Sequence, residues 1–165
     1  MAIESLRELY LEELKDTYNA EQQILKALPK MEEAASHNEL KQAFRQHRQQ
    51  TEEQSRRLER IFDSLDEKPT GKKCKGIEGI IDEGDEMMKD AKDNDTRDAA
   101  LIAAAQRVEH YEIAAYGTLR TYARQLGRDQ DATLLQETLN EEGETDKRLT
   151  RLAESTINRE AAARR

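Results

Sequence analysis

Four helix-length stretches of this chain carry an apolar lane whose members fall alternately three and four residues apart. Near its middle, each lane is broken by side chains able to bind a metal ion. The first lane runs Ile3, Tyr10, Leu14, Thr17, Glu21, Ile24, Leu28, Met31, and the second Leu40, Phe44, His47, Thr51, Gln54, Leu58, Ile61. The third is Leu101, Ala105, Val108, Glu112, Ala115, Leu119, Tyr122, and the fourth Leu135, Thr138, Glu142, Thr145, Leu149, Leu152. Residues at this spacing share the face a helix turns toward its neighbours. A lone carboxylate there costs several kcal/mol unless it is neutralised, paired or bound to metal. Interruptions at matching depth in four lanes describe one shared site.

Composition agrees with long solvated helices. Charged residues are 38% and hydrophobic ones 36% of the 165 residues, with seven Gly, two Pro and no Trp. A sheet protein needs more β-branched and aromatic residues and more turns. A chain of this length is expected to form one domain, here 1–165, with a sizeable core. The net charge of −8 repels a phosphate backbone, so no nucleic-acid partner is expected. The basic residues Arg45, Arg48, Arg56, Arg57 and Arg60 sit among Glu and Gln, as on an outer helix face. No apolar run reaches the roughly 18–20 residues of a membrane span, and the acidic start MAIESLRELYLEEL does not read as a signal peptide. One cysteine, Cys74, allows no intrachain disulfide. A cytoplasmic location is the expectation.

The spacing predicts helices over about 3–36, 38–66, 77–92, 97–126 and 129–157. Asn38 is placed to cap the second, Asp129 or Asp131 the last, and the tail from Asn158 is expected to fray. Short links join the first bundle helix to the second and the third to the fourth. The long link between the second and third holds Pro69, Gly71 and Gly76 and carries its own short helix. A link of that length can cross the bundle, so that the second and third bundle helices run parallel. The predicted class is therefore all-α, a ferritin-like four-helix bundle with a long crossover.

Dinuclear sites in such bundles take a Glu from each of two helices and a Glu-x-x-His pair from each of the other two. Glu21 fits the single carboxylate of the first helix. Glu109 and Glu112 lie one turn apart on the third bundle helix, and Glu142 with Asp146 lies on the fourth. The second helix offers His47, Gln50 and Gln54 but no carboxylate on the lane. Glu141 reads as solvated, and His110 points away from the lane. Tyr18, Tyr111 and Tyr116 read as core or supporting aromatics, and Cys74 as a structural thiol. This oxygen-rich donor set suits two ions of iron or manganese, with zinc as an alternative.

Residues 17–31 (TYNAEQQILKALPKM), 97–106 (RDAALIAAAQ), 108–119 (VEHYEIAAYGTL) and 138–142 (TLNEE) resemble the YciF/YciE family of bacterial, ferritin-like, stress-associated proteins. The resemblance covers essentially the whole chain. It implies a rubrerythrin-like core, a homodimer and a dinuclear metal site, but no particular reaction. Members of that family often carry Glu where this chain has Gln50, so the second helix offers one charge fewer here. The expected function is redox handling of iron, dioxygen or peroxide in a stress response. With no paired cysteines to pass electrons, an external electron donor is expected. A non-catalytic dimeric interaction protein with a vestigial site is the alternative, and a hollow iron-storage shell is the less favoured third reading.

Overall fold

The computed structural model describes residues 2–164. Its elements are α1 (Leu6–Ala34), α2 (Asn38–Leu65), α3 (Lys75–Asp90), α4 (Asn94–Gln125) and α5 (Asp129–Leu152), then a π-helical turn (Ala153–Ile157) and α6 (Asn158–Ala162). No strand occurs among the described residues. Among them, too, no helix is long and apolar enough to cross a membrane.

Helix starts depart from the spacing-based expectations where a capping residue, adjacent or distant, sets them. Ser5 and Glu8 form a capping box that starts α1, leaving Ile3 outside the helix and 48% exposed. Asn38 does not cap α2. Instead the buried Asp98 of α4 accepts the backbone N–H groups of Ser36 and His37, each at 2.8 Å. Neither Asp129 nor Asp131 caps α5: both lie in its first turn. Asp131 is buried, accepting the Tyr10 hydroxyl at 3.2 Å and pairing with Arg128. α4 begins at Asn94, not near 97, because Asp93 Oδ1 accepts the Thr96 N–H at 2.9 Å.

The tail is not frayed. The π-helical turn inserts an extra residue into the helical register, and Ile157 is buried as a result. Helix then continues to Ala162, and Arg164 pairs with Asp95 (2.6 Å) and Asp93 (3.8 Å) at the start of α4.

The four long helices pack in a closed ring, in the order α1, α2, α5, α4 and back to α1, with α3 laid across α1 and α4. Side-chain contacts give the directions. Asp98 near the start of α4 holds the residues before α2, and Arg128 after α4 donates to Ser64 at the end of α2, so α2 and α4 are parallel. Tyr10 near the start of α1 meets Asp131 at the start of α5, so these two are also parallel. Ring neighbours are therefore antiparallel, as the long crossover predicted.

Apart from the exposed Ile3 and the half-buried Thr145, the lanes are buried with one shift. Beyond Glu112, α4 turns Tyr116 and Ala123 inward in place of the expected Ala115 and Tyr122. A strict three-four lane drifts about 20° per seven residues on a straight helix, and α4 is 32 residues long.

The apolar residues form two separate clusters. One holds Ile24, Leu28, Phe44, Leu101, Ala105 and Leu149, and the other Tyr10, Leu14, Leu58, Phe62, Tyr116 and Leu135. Thr17, Glu21, His47, Thr51, Gln54, Glu109, Glu112, Thr138 and Glu142 are buried as well, each at most 3% exposed. On each helix they fall between the contributions to the two clusters, so a polar layer crosses the middle of the molecule.

Candidate metal centre

Each of the four long helices presents its polar interruption at the same level. One donor atom from each of His47, Glu109, Glu112 and Glu142 lies within 4.8 Å of the others. His47 Nε2 stands 2.9 Å from Glu109 Oε1 and 3.9 Å from Glu142 Oε2, without hydrogen-bond alignment. Both oxygens of Glu109, Glu112 and Glu142, along with His47 Nε2 and Glu21 Oε2, are buried with no hydrogen-bond partner among the protein atoms. Buried polar atoms are nearly always satisfied, and each orphan costs about 1–3 kcal/mol. Concentrated at one point, they can be satisfied by protons shared among the carboxyls or by a cation.

Burial and mutual repulsion dominate the electrostatics. Burial first, then the charge of Glu142, lifts Glu21 to about 8, against the opposing pull of the Tyr116 hydroxyl. Glu109 is likewise raised to about 8, chiefly by burial. Glu112 and Glu142 rise well above the carboxylate range through burial and then their carboxylate neighbours. With no cation present, the cluster holds protons at neutral pH.

Glu21 lies outside the tight foursome. The fully buried Tyr116 donates its hydroxyl to Glu21 Oε1, which leaves Oε2 as the free oxygen. The expectation that α2 would be the weak contributor meets His47 inside the tightest group.

Gln54 is fully buried, with Nε2 donating to Glu141 Oε2 at 3.0 Å. A carboxylate only accepts, so the Gln54 amide must face it with nitrogen, and Oε1 is left buried and unpaired. Gln50 is half-buried, its Oε1 accepting the Thr145 hydroxyl at 3.3 Å. Asp146 is not brought into the cluster: Oδ1 takes Gln106 Nε2 at 3.3 Å and His110 Nε2 at 3.2 Å. His110 is indeed turned outward, 68% exposed.

Two residues read as exterior belong to the site's support. The sequence pattern puts Arg57 on the outer face and Glu141 in solvent. Yet the Arg57 side chain is only 11% exposed and donates twice to Glu141, Nη1 to Oε2 and Nη2 to Oε1, each at 2.8 Å. Arg57 Nη1 also donates to Thr138 Oγ1 at 3.1 Å. This fork holds Glu141 where it orients Gln54. The one sequence signal was position, since each sits beside a lane residue (Leu58, Glu142). Glu141→Ala leaves the guanidinium without its bidentate acceptor, at an expected cost of about 1–2 kcal/mol. A thermal melt should drop by roughly 2–8 °C, and an unchanged melt would place this pair with exposed ones of negligible value.

Cys74 has a structural place. It caps α3, accepting the Ile77 N–H at 3.5 Å, and its sulfur lies 3.0 Å from the Tyr111 hydroxyl. Tyr111 also donates to Asp16 at 3.0 Å, and Asn19 accepts the Cys74 N–H at 2.8 Å. Burial pushes the thiol above its ordinary range, away from thiolate chemistry.

The domain of unknown function DUF892 matches residues 5–162. The chain belongs to this family. Protein YciF of Escherichia coli (strain K12) is 45% identical over 162 residues, 98% of each chain. The solved structure of that E. coli stress protein, YciF, superposes with a TM-score of 0.90 at 45% identity, covering 94% of this chain and 99% of that one. YcfI from Rhodopseudomonas palustris, whose description suggests a structural protein, gives 0.88 at 44% identity over 90% and 94%. A protein from Xanthomonas campestris pv. campestris gives 0.72 at 25% identity, over 92% of each chain. The resemblance read from the four sequence stretches is thereby shown for nearly the whole chain.

Proposed function

We propose that this DUF892 chain is a ferritin-like four-helix bundle whose polar layer holds two divalent metal ions. Iron or manganese is the preferred metal and zinc the alternative. The protein would act as a cytoplasmic homodimer in the redox handling of iron, dioxygen or peroxide during a bacterial stress response, drawing electrons from an external donor. The observation that carries this reading is the set of orphaned carboxylate oxygens and the His47 nitrogen at one level between two apolar clusters. The donor chemistry fits: Glu21, Glu109, Glu112 and Glu142 together carry the charge that two divalent cations neutralise, and one imidazole among carboxylates suits iron or manganese better than copper. The parallel run of α2 and α4 around a long crossover is the ferritin-like connection.

Bound there, such ions would supply one-electron chemistry toward an oxidant. The chain's own residues do the rest. His47, Glu109, Glu112 and Glu142 are the donors already gathered, and Glu21 offers Oε2 with its other oxygen steadied by Tyr116. Gln54 offers an amide oxygen oriented through Glu141 and Arg57. The apolar clusters on either side keep bulk water from the layer and strengthen its electrostatics.

Metal analysis of protein purified from cells grown with iron and manganese tests the reading, with bound metal the expected result. With the neutral Gln50 on α2, the second of the two positions is expected to fill only in part. Gln50→Glu, which adds a carboxylate beside His47 and Thr145, should therefore raise the ratio toward about two ions per chain. Protein that takes up no metal, even on reconstitution, would favour a structural or interaction role. That second reading is supported by the description of the R. palustris relative.

A further inference from the structure

Beneath α3 the apolar half of the core is not filled. A cavity of about 30 Å³ lies between α1, α3 and α4, reaching the surface beside Asp85 and Met88 and ending inward at His47. Ile24, Leu28, Met31 and Val108 form much of its wall, and all are buried. Gly84 keeps α3 close to α4 here, since an added Cβ would stand 3.1 Å from Ala104 Cβ. The cavity therefore sits beside a close helix contact, with the half-buried Ala27, Ile80, Ile81, Asp85 and Met88 on its outer side.

Its size and chemistry select an occupant. A void needs only roughly 10–15 Å³ of such space to hold one water, but a water also needs two to four polar partners. This wall offers only the His47 ring and, at the mouth, Asp85. Peroxide would lose its hydrogen bonds on entering, at several kcal/mol. A small apolar diatomic loses nothing comparable, and apolar cavities of this kind take up gases. The polar alternative lies on another side of His47, in a pocket between α2 and α5 bordered by Gln50, Thr145 and Arg148.

We propose that the apolar cavity beneath α3 is an access and holding site for dioxygen, opening onto His47 at the edge of the carboxylate cluster. The proposal rests on the metal reading for what the gas reaches, but not for its binding. The test is methyl NMR on the full chain under dioxygen pressure, with Zn²⁺ supplied as a diamagnetic ion. Dissolved dioxygen speeds relaxation of the methyls it visits. The enhancement at Ile24 and Leu28 should exceed several-fold that at the comparably buried Leu58, Ile61 and Leu135 of the other cluster. Ala27→Leu, which fills the cavity from the half-buried flank of α1, should bring Ile24 and Leu28 down to the level of the other cluster. Met88→Ala, which widens the mouth and removes no core residue, should raise them. Equal enhancement in both clusters, or a difference that neither variant moves, would overturn the proposal. Gas uptake in a chain that binds no metal would sink only the metal reading, and metal uptake without preferential relaxation only this one.

Discussion

Removing metal from the protein at pH 8 is expected to lower its melting temperature by about 10 °C, with a smaller loss expected at pH 5.5. Metal held at a thousandfold above its dissociation constant contributes about 4 kcal/mol to the folded state, and each kcal/mol moves the melt of a chain this size by about 2–4 °C. The pH dependence comes from the metal-free protein. Its Glu21 and Glu109 are raised to about 8, and burial and neighbouring carboxylates hold Glu112 and Glu142 well above the ordinary carboxylate value, near which all four lose their protons in the unfolded chain. Between these values the folded state binds more protons than the unfolded one, so metal-free stability is full below the unfolded value and falls as pH rises through the folded values. Bound cations replace those protons and remove the loss. Calorimetric melts of stripped and reconstituted protein between pH 5.5 and 8 measure both effects. A stripped protein as stable at pH 8 as at pH 5.5 would overturn the raised carboxylate values, and one identical to the reconstituted protein would show that no cation belongs in the layer.

Glu112→Gln is expected to abolish most metal binding while leaving the fold intact and making the metal-free protein more stable. Glutamine keeps the shape of the side chain, but its neutral amide cannot balance a cation, so metal affinity should fall by about tenfold or more, and occupancy with it when metal is limiting. In the metal-free state the same change removes a fully buried carboxyl pushed up by burial and by Glu142 and Glu21. At pH 8 the variant should therefore melt several degrees above stripped wild type, with an unchanged helical spectrum. Glu142→Gln should behave alike. Glu21→Gln should cost less metal, because one of its oxygens is already engaged by Tyr116. A Glu112→Gln protein with full metal content would remove that residue from the site, and one less stable than stripped wild type would mean that its carboxylate serves the fold.

Much of the site was legible because a buried carboxylate on a helical lane has no cheap structural explanation. Glu21, His47, Gln54, Glu112 and Glu142 interrupt their lanes in the sequence and are each buried in the structure. Glu109, on the flank, was reached through its one-turn spacing from Glu112. Asp146 also lies about one turn from Glu142, four residues on rather than three, but is engaged by Gln106 and His110. Glu141 and Arg57 failed for the converse reason. A charged residue beside a lane reads as solvated until a residue 84 positions away proves to be its partner.

By itself, then, the sequence determined that the chain is helical, that its long helices bury one face each, and that ionisable residues interrupt those faces at one depth. These are consequences of periodicity, which is a local property of a chain. The tertiary structure alone decided which oxygens are left without partners and which are spent on Tyr116, Thr145 or Gln106. It also decided that Asp98 would cap a loop some sixty residues away, and that α3 would leave a cavity reaching His47. Hydrogen-bond satisfaction and void space depend on distances between helices that are remote in sequence, and no pattern along one helix encodes them.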